Sequence, residues 1–176
     1  MLAYAGLTLA IGAVLVGALW FLGRGKKLHW KRFGSVIGEG ALYAVLMGWI
    51  TSYVVGSLQL ASGSSKHGFF SGLITSLGAG FYEEVAFRVV LFGFGLKLIQ
   101  RYLTNRQTLV LLGWALATSF IFSAWHYVGQ YGDSFQLASF TFRWIFGLAF
   151  VAIYRYRGFA PAVWCHTLYD IWVLAL

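Results

Sequence analysis

The sequence predicts an all-α, polytopic membrane protein with about six transmembrane helices around a central polar cavity. Three observations carry that expectation. Hydrophobic residues make up 60% of the 176 positions and charged residues only 10%, whereas soluble domains carry roughly 25% charged residues. Several apolar windows reach the roughly 20 residues that cross a bilayer core as a helix. The basic residues fall in alternate connections between those windows. A soluble globular chain is excluded on composition. The formal charge of +8 reports orientation here, because basic residues between spans set topology, and no nucleic-acid motif accompanies them.

The first span is expected over about Leu2–Leu22, closed by Arg24, Lys26, Lys27, Lys31 and Arg32. A signal peptide would place its basic residues before the apolar stretch, not after it. The second is expected from Ala41 to Ala61, ending in the turn-rich SGSSKHG. The third runs from Phe69 to about Leu96, before Lys97, Arg101 and Arg106. The fourth covers about Leu109–Tyr127 and the fifth about Leu137–Tyr154, followed by Arg155 and Arg157. The sixth starts at Phe159. We read one integral-membrane domain over 1–176, with two additional N-terminal helices over about 2–61. The connections after spans one, three and five hold five, three and two Lys/Arg residues, and those after spans two and four hold Lys66 alone. By the positive-inside rule both termini are then non-cytoplasmic, as in a prokaryotic inner-membrane protein.

The third segment is long for one span: 28 residues make about 42 Å of helix at ~1.5 Å per residue, against a core about 30 Å thick. Two accounts fit. Gly78 and Gly80 could mark a break, with a new helix from about Phe81, or one long tilted helix could protrude into the cytoplasm. Within this segment lies FYEEVAFR, holding two of the chain's five acidic residues. Intramembrane charges are expensive and as a rule functional. Glu84 and Arg88, four apart on a helix in the favourable order, can pair. Glu83 has no basic residue at i+3 or i+4 and is left free for general-base chemistry.

Two further clusters place polar groups inside spans. Phe122-Ser-Ala-Trp-His126 ends span four, and His166-Thr-Leu-Tyr-Asp170 sets a histidine and a carboxylate one turn apart on span six. His166 lies about 13 Å past Arg157 and Glu83 about 21 Å before Lys97 by helical rise, so three helices could converge. Each histidine alone would read as a hydrogen-bonded structural residue. Arg143, a cation inside span five, needs a partner such as Glu84 or Asp170. Trp125, Tyr127, Trp164 and Tyr169 flank the histidines, with plain packing as their default reading. The lone Cys165 forms no internal disulfide.

Glu-Glu-x-x-x-Arg, then Phe-x-x-x-His, then His-x-x-x-(Asn or Asp), on three membrane helices in that order, resembles the CPBP family, the CAAX proteases and bacteriocin-processing intramembrane proteases. Phe159-Ala-Pro-Ala162, leading into the last motif, fits the same pattern. The resemblance covers about residues 69–172. It implies hydrolysis of a peptide bond near the C-terminus of a membrane-associated protein or peptide. Glu83 would be the general base on water and His126 would hold that water. His166 would donate to the oxyanion. Asp170 stands where many members have asparagine. It could orient the surroundings of His166, be protonated, or pair with Arg143.

No cofactor is favoured, and zinc is the alternative, with Glu83, Glu84, His126 and His166 (or Asp170) as ligands of suitable type. No His-Glu-x-x-His motif is present. The rival function is a non-catalytic membrane protein, either a bacteriocin-immunity factor or a proton-coupled transporter. No internal repeat supports the transporter. Expected partners are a membrane-tethered substrate and the bilayer.

Overall fold

The computed structural model describes residues 10, 12–14, 16–18, 20, 21, 23–25, 29–57, 69–129 and 132–175. They divide into two compact units, Met1–Phe33 and Gly34–Leu176. In the first, the described residues from 10 to 23 are helical, and the Arg24 guanidinium lies 4.6 Å from the centroid of the Trp20 ring. The rest of the expected first span, the end of the expected second (58–61) and the SGSSKHG connection lie outside the described residues.

Every regular element among the described residues is a helix, and none is a strand. The elements are α1 (Trp30–Ser57), α2 (Phe69–Glu83), a π-helical segment (Glu84–Phe94), α3 (Gly95–Tyr102), α4 (Gln107–Trp125), α5 (Leu137–Arg157) and α6 (Phe159–Leu174). Windows in three of them, Trp30–Ile50, Gln107–Trp125 and Leu137–Arg157, are long and apolar enough to cross a membrane. Outward-facing Trp49, Tyr53, Phe70, Ile74 and Leu137 are each at least 70% exposed, as lipid-facing side chains are. This is an integral membrane protein.

One boundary differs from expectation. Helix α1 starts at Trp30, not near Ala41: the basic Lys31 and Arg32 lie within its first turn and do not delay it. Of the two accounts of the third segment, the continuous one holds and the break at Gly78 or Gly80 does not: the helical path runs from Phe69 to Tyr102 and changes winding at Glu84.

The reason lies in packing. Gly72, Ser76 and Gly80, spaced by four, are the buried residues of α2. They form a small-residue stripe of the kind that lets membrane helices approach closely. A Cβ on Gly80 would fall 2.8 Å from the Thr167 backbone nitrogen, and one on Gly72 would fall 2.7 Å from the Leu174 carbonyl oxygen. These contacts fix α6 antiparallel to α2, and they seat Thr167, next to His166, on α2 one turn before Glu84. Helix α4 reaches the π segment through Trp114 Nε1, which donates to the Leu91 carbonyl at 3.0 Å. It meets α5 where Ser123 Oγ donates to the Phe140 carbonyl at 2.6 Å. Gly158, at φ +95°, turns the chain from α5 into α6, a conformation that favours glycine.

Helix α1 docks near the start of α6. Gly40 sits where a Cβ would strike the Trp164 side chain, and the Cys165 thiol lies 3.4 Å from Met47 Sδ. Arg157, at the C-terminal end of α5, donates from Nη2 to Glu39 Oε2 at 3.0 Å and from Nε to Oε1. Tyr43 donates to the same carboxylate at 2.7 Å.

The two glycines of the former break region should respond oppositely. Gly80→Ala drives a methyl into backbone and is expected to lose about 1–3 kcal/mol, the usual cost of overpacking. Gly78→Ala meets only Tyr82, at 4.0 Å, and gains helix propensity. Thermal unfolding in detergent checks this: a lowered midpoint for Gly80→Ala and an unchanged or raised one for Gly78→Ala.

Candidate active site

Glu84 and Arg88 are buried, at 0% and 1% exposure. Arg88 Nε lies 3.2 Å from Glu84 Oε2, without the alignment of a good hydrogen bond. Aromatic faces supply the rest of the cation's surroundings: Phe122 lies 4.2 Å and Phe150 5.0 Å from the guanidinium carbon, a cation–π arrangement that strengthens when desolvated. The other Glu84 oxygen, Oε1, accepts from His166 Nδ1 at 2.9 Å. Glu84 is therefore shared between the arginine of its own helix and the histidine of α6.

His166 is thereby fixed. Its Nδ1 is held by Glu84, its ring stacks on Phe150 at 4.6 Å, and its Nε2 points towards Asp170 Oδ2 at 3.5 Å and Glu83 Oε2 at 4.0 Å. His126, in the turn that ends α4, is fixed similarly. Its Nδ1 lies 3.0 Å from the Phe122 carbonyl, an acceptor only, so Nδ1 carries the proton. Its Nε2 faces Glu83 Oε2 at 3.9 Å. Both histidines thus present Nε2 to the same carboxylate oxygen. Glu83 Oε2 is buried and has no hydrogen-bond partner among the described residues.

Glu83, His126, His166 and Asp170 line one cavity of about 420 Å³, together with Arg143 and Asp133. An apolar depression of about 480 Å³, lined by Phe87, Val90, Ile121 and Trp125 among others, adjoins it at Glu83. The four residues expected to do chemistry are brought together, with Glu84 and Arg88 directly behind them.

Arg143 departs from expectation. Its partner is Asp133 Oδ2, at 2.6 Å from Nη2, and not Glu84 or Asp170. Glu84 is already committed to Arg88 and His166. The loop after α4 folds back, with the Asp133 amide donating to the His126 carbonyl at 2.9 Å, and so carries Asp133 to α5. The Arg143 guanidinium also lies over the Tyr127 ring at 5.3 Å.

Sequence reasoning passed over Asp133, Phe122 and Phe150 as site residues. The scarcity of acids was a signal for Asp133, and the Phe-x-x-x-His motif contained Phe122. Phe150 had no signal in its surroundings. Of the flanking aromatics, Tyr169 lines the cavity and Trp125 the apolar depression. Among the described residues no group of three His, Cys, Asp or Glu side chains is arranged to hold a metal ion. Glu84 Oε1 is taken by His166 Nδ1, and Oε2 lies against Arg88 without a hydrogen bond.

Breaking a buried pair by removing one partner typically costs 3–5 kcal/mol, whereas replacing both by apolar groups is often neutral. Glu84→Ala is expected to lose about that much stability, and Glu84→Leu/Arg88→Met to recover a large part of it, both read by thermal unfolding. Glu83→Gln, which removes no paired charge, should unfold within a few degrees of the parent.

Neither a curated protein nor a solved structure matches this chain. A family model does, over residues 64–172, which includes all three motifs: Type II CAAX prenyl endopeptidase Rce1-like. With most of the chain matched, and an intramembrane endopeptidase implied by the match, this protein belongs to the Rce1-like type II CAAX prenyl endopeptidase family.

Proposed function

We propose that the protein is a metal-independent, glutamate-type intramembrane endopeptidase that cuts near the C-terminus of a membrane-tethered protein or peptide. The observation that carries this is the Glu83 oxygen with no partner, facing two oriented imidazoles across 3.9 and 4.0 Å. Those gaps exceed a hydrogen bond and match a span that a water bridges. One water O–H is directed at Glu83 Oε2 and the other at His126 Nε2, whose lone pair is exposed because Nδ1 carries the proton. The water oxygen then attacks the scissile carbonyl carbon as Glu83 takes its proton. His166, held at Nδ1 by Glu84 Oε1 with Nε2 towards Glu83 and Asp170, donates from Nε2 to the oxyanion. When the tetrahedral intermediate collapses, the C–N bond breaks. Glu83 returns its proton to the leaving amine. Asp170 holds the Nε2 edge of His166, a positioning role that an ionised carboxylate can fill.

Glu83→Gln keeps the shape but not the base, and is expected to lower cleavage of a membrane-anchored peptide by at least about a hundredfold, the low end of general-base contributions. Wild-type activity should persist after exhaustive chelation. Residual Glu83→Gln activity near the parent level would remove Glu83 from the chemistry. Loss of activity on chelation, restored by zinc, would replace the metal-free mechanism.

Sidedness follows from charge and placement. The basic ends are the C-terminal end of the Phe69–Tyr102 helical path (Lys97, Arg101), Arg106 before α4, and Arg155 and Arg157 ending α5. The cavity is lined instead by Thr75 and Ala79 in the first third of the Phe69–Tyr102 path, His126 after α4, Phe142 and Arg143 early in α5, and Val173 and Leu174 late in α6. The Glu39–Arg157 pair holds the early part of α1 at the basic end. With the basic ends cytoplasmic, the cavity opens to the non-cytoplasmic side. A cysteine at exposed Ser134 should react with a membrane-impermeant maleimide added outside intact cells, with buried Cys165 silent. Labelling only after permeabilisation would reverse the orientation.

A further inference from the structure

Arg143 is the cavity's unexplained cation. It is the one lysine or arginine among the described residues that line the cavity. It stands near enough to Glu83 and His126 for its charge to act on both, yet it bonds neither. Its Nη2 is taken by Asp133, and its Nη1 is buried with no hydrogen-bond partner among the described residues. Arg88 also has unpartnered nitrogens, but they lie against the Phe122 and Phe150 rings and Arg88 does not line the cavity. At Arg143, which does, a buried nitrogen without an acceptor is a costly arrangement and points to an acceptor that arrives from elsewhere.

We infer that Arg143 is the anchor for the free α-carboxylate at the C-terminus of the substrate, an assignment that rests on the proteolytic reading of the same cavity. Three features fit a carboxylate. The planar guanidinium offers paired N–H donors that match its two oxygens. The group is held in place before substrate arrives, by Asp133 on one nitrogen and by the Tyr127 ring below, so little ordering remains to be done on binding. The Asp133 side chain is 57% exposed, and an ion pair with so exposed a partner is weak. It orients the arginine without consuming its capacity to bind a second anion.

The cavity that holds both Glu83 and Arg143 is small, about 420 Å³, near the low end of ligand sites, so an anion held by Arg143 stays close to Glu83.

The test uses full-length protein in nanodiscs and a pair of peptides, each with a lipidated cysteine three residues from its end. One ends in a free carboxylate and the other in a primary amide. Binding is measured to Glu83→Gln by fluorescence anisotropy, and cleavage to the parent protein. The acid is expected to bind and to be cleaved about tenfold or more better than the amide. In Glu83→Gln/Arg143→Gln the binding ratio should fall to about one, and with Arg143→Lys, which keeps the charge but not the fork, it should lie between. Equal binding of acid and amide overturns the anchor, as does a ratio that survives Arg143→Gln or the absence of any binding. If the acid is preferred through Arg143 but neither peptide is cleaved by the parent protein, the anchor stands as a carboxylate site and the proteolytic reading fails.

Discussion

The site depends on one buried carboxylate. Glu84 is inaccessible to solvent, and its two oxygens face Arg88 on its own helix and His166 on α6. An isolated ion at that depth is untenable, so the helices that bring the cation and the imidazole have to assemble together. The phenyl rings of Phe122 and Phe150 complete the enclosure, each touching Arg88 on one side and a motif histidine on another. The same contacts that make the charge tolerable aim His166. Stability and positioning are here one network, and a change in its centre disturbs both.

The change of winding at Glu84 explains how two adjacent glutamates serve one histidine. On an α-helix they diverge by about 100°. A π-helix packs more residues into each turn, so neighbouring side chains diverge less. The segment from Glu84 to Phe94 winds in this way, and Glu84, Phe87, Arg88 and Phe92 are buried along it. Glu84 thus turns to Nδ1 of His166 while Glu83 stays on the side of Nε2. The Trp114 indole donating to Leu91 O ties the segment to α4.

Much of this was legible in the sequence, and the exceptions have physical causes. Composition and charge spacing gave the helical membrane class. Residue spacing placed Glu83, His126, His166 and Asp170 on three helices before any contact was known. Four-residue spacing also suggested the Glu84–Arg88 pair. The winding was illegible, because π geometry depends on what packs against the helix and leaves the local pattern unchanged. The glycines before the glutamates left a break and a continuous helix both open, because sequence weighs their conformational freedom. Their actual use at Gly80 is steric, a contact with the Thr167 backbone that exists only once α6 is in place. Asp133 was missed for a related reason. Its loop is brought to Arg143 by a backbone hydrogen bond from the Asp133 amide to the His126 carbonyl, and no periodicity encodes that.

The same pairing shows why Glu83, of five acids, is the one proposed as the base. Every other described carboxylate has a close partner: Glu39 has Arg157, Glu84 has Arg88 and His166, Asp133 has Arg143, and Asp170 has His166. An arginine bonded to Glu83 would favour its ionised form and weaken it as a base. The two arginines near the cavity are instead bound to other acids, Arg88 behind the site and Arg143 beside it. Only imidazoles face Glu83 Oε2, and both stand beyond hydrogen-bond reach. The pairing of the other four acids is what favours Glu83 for the proposed role: each cation near the cavity stands out of bonding range of its carboxylate.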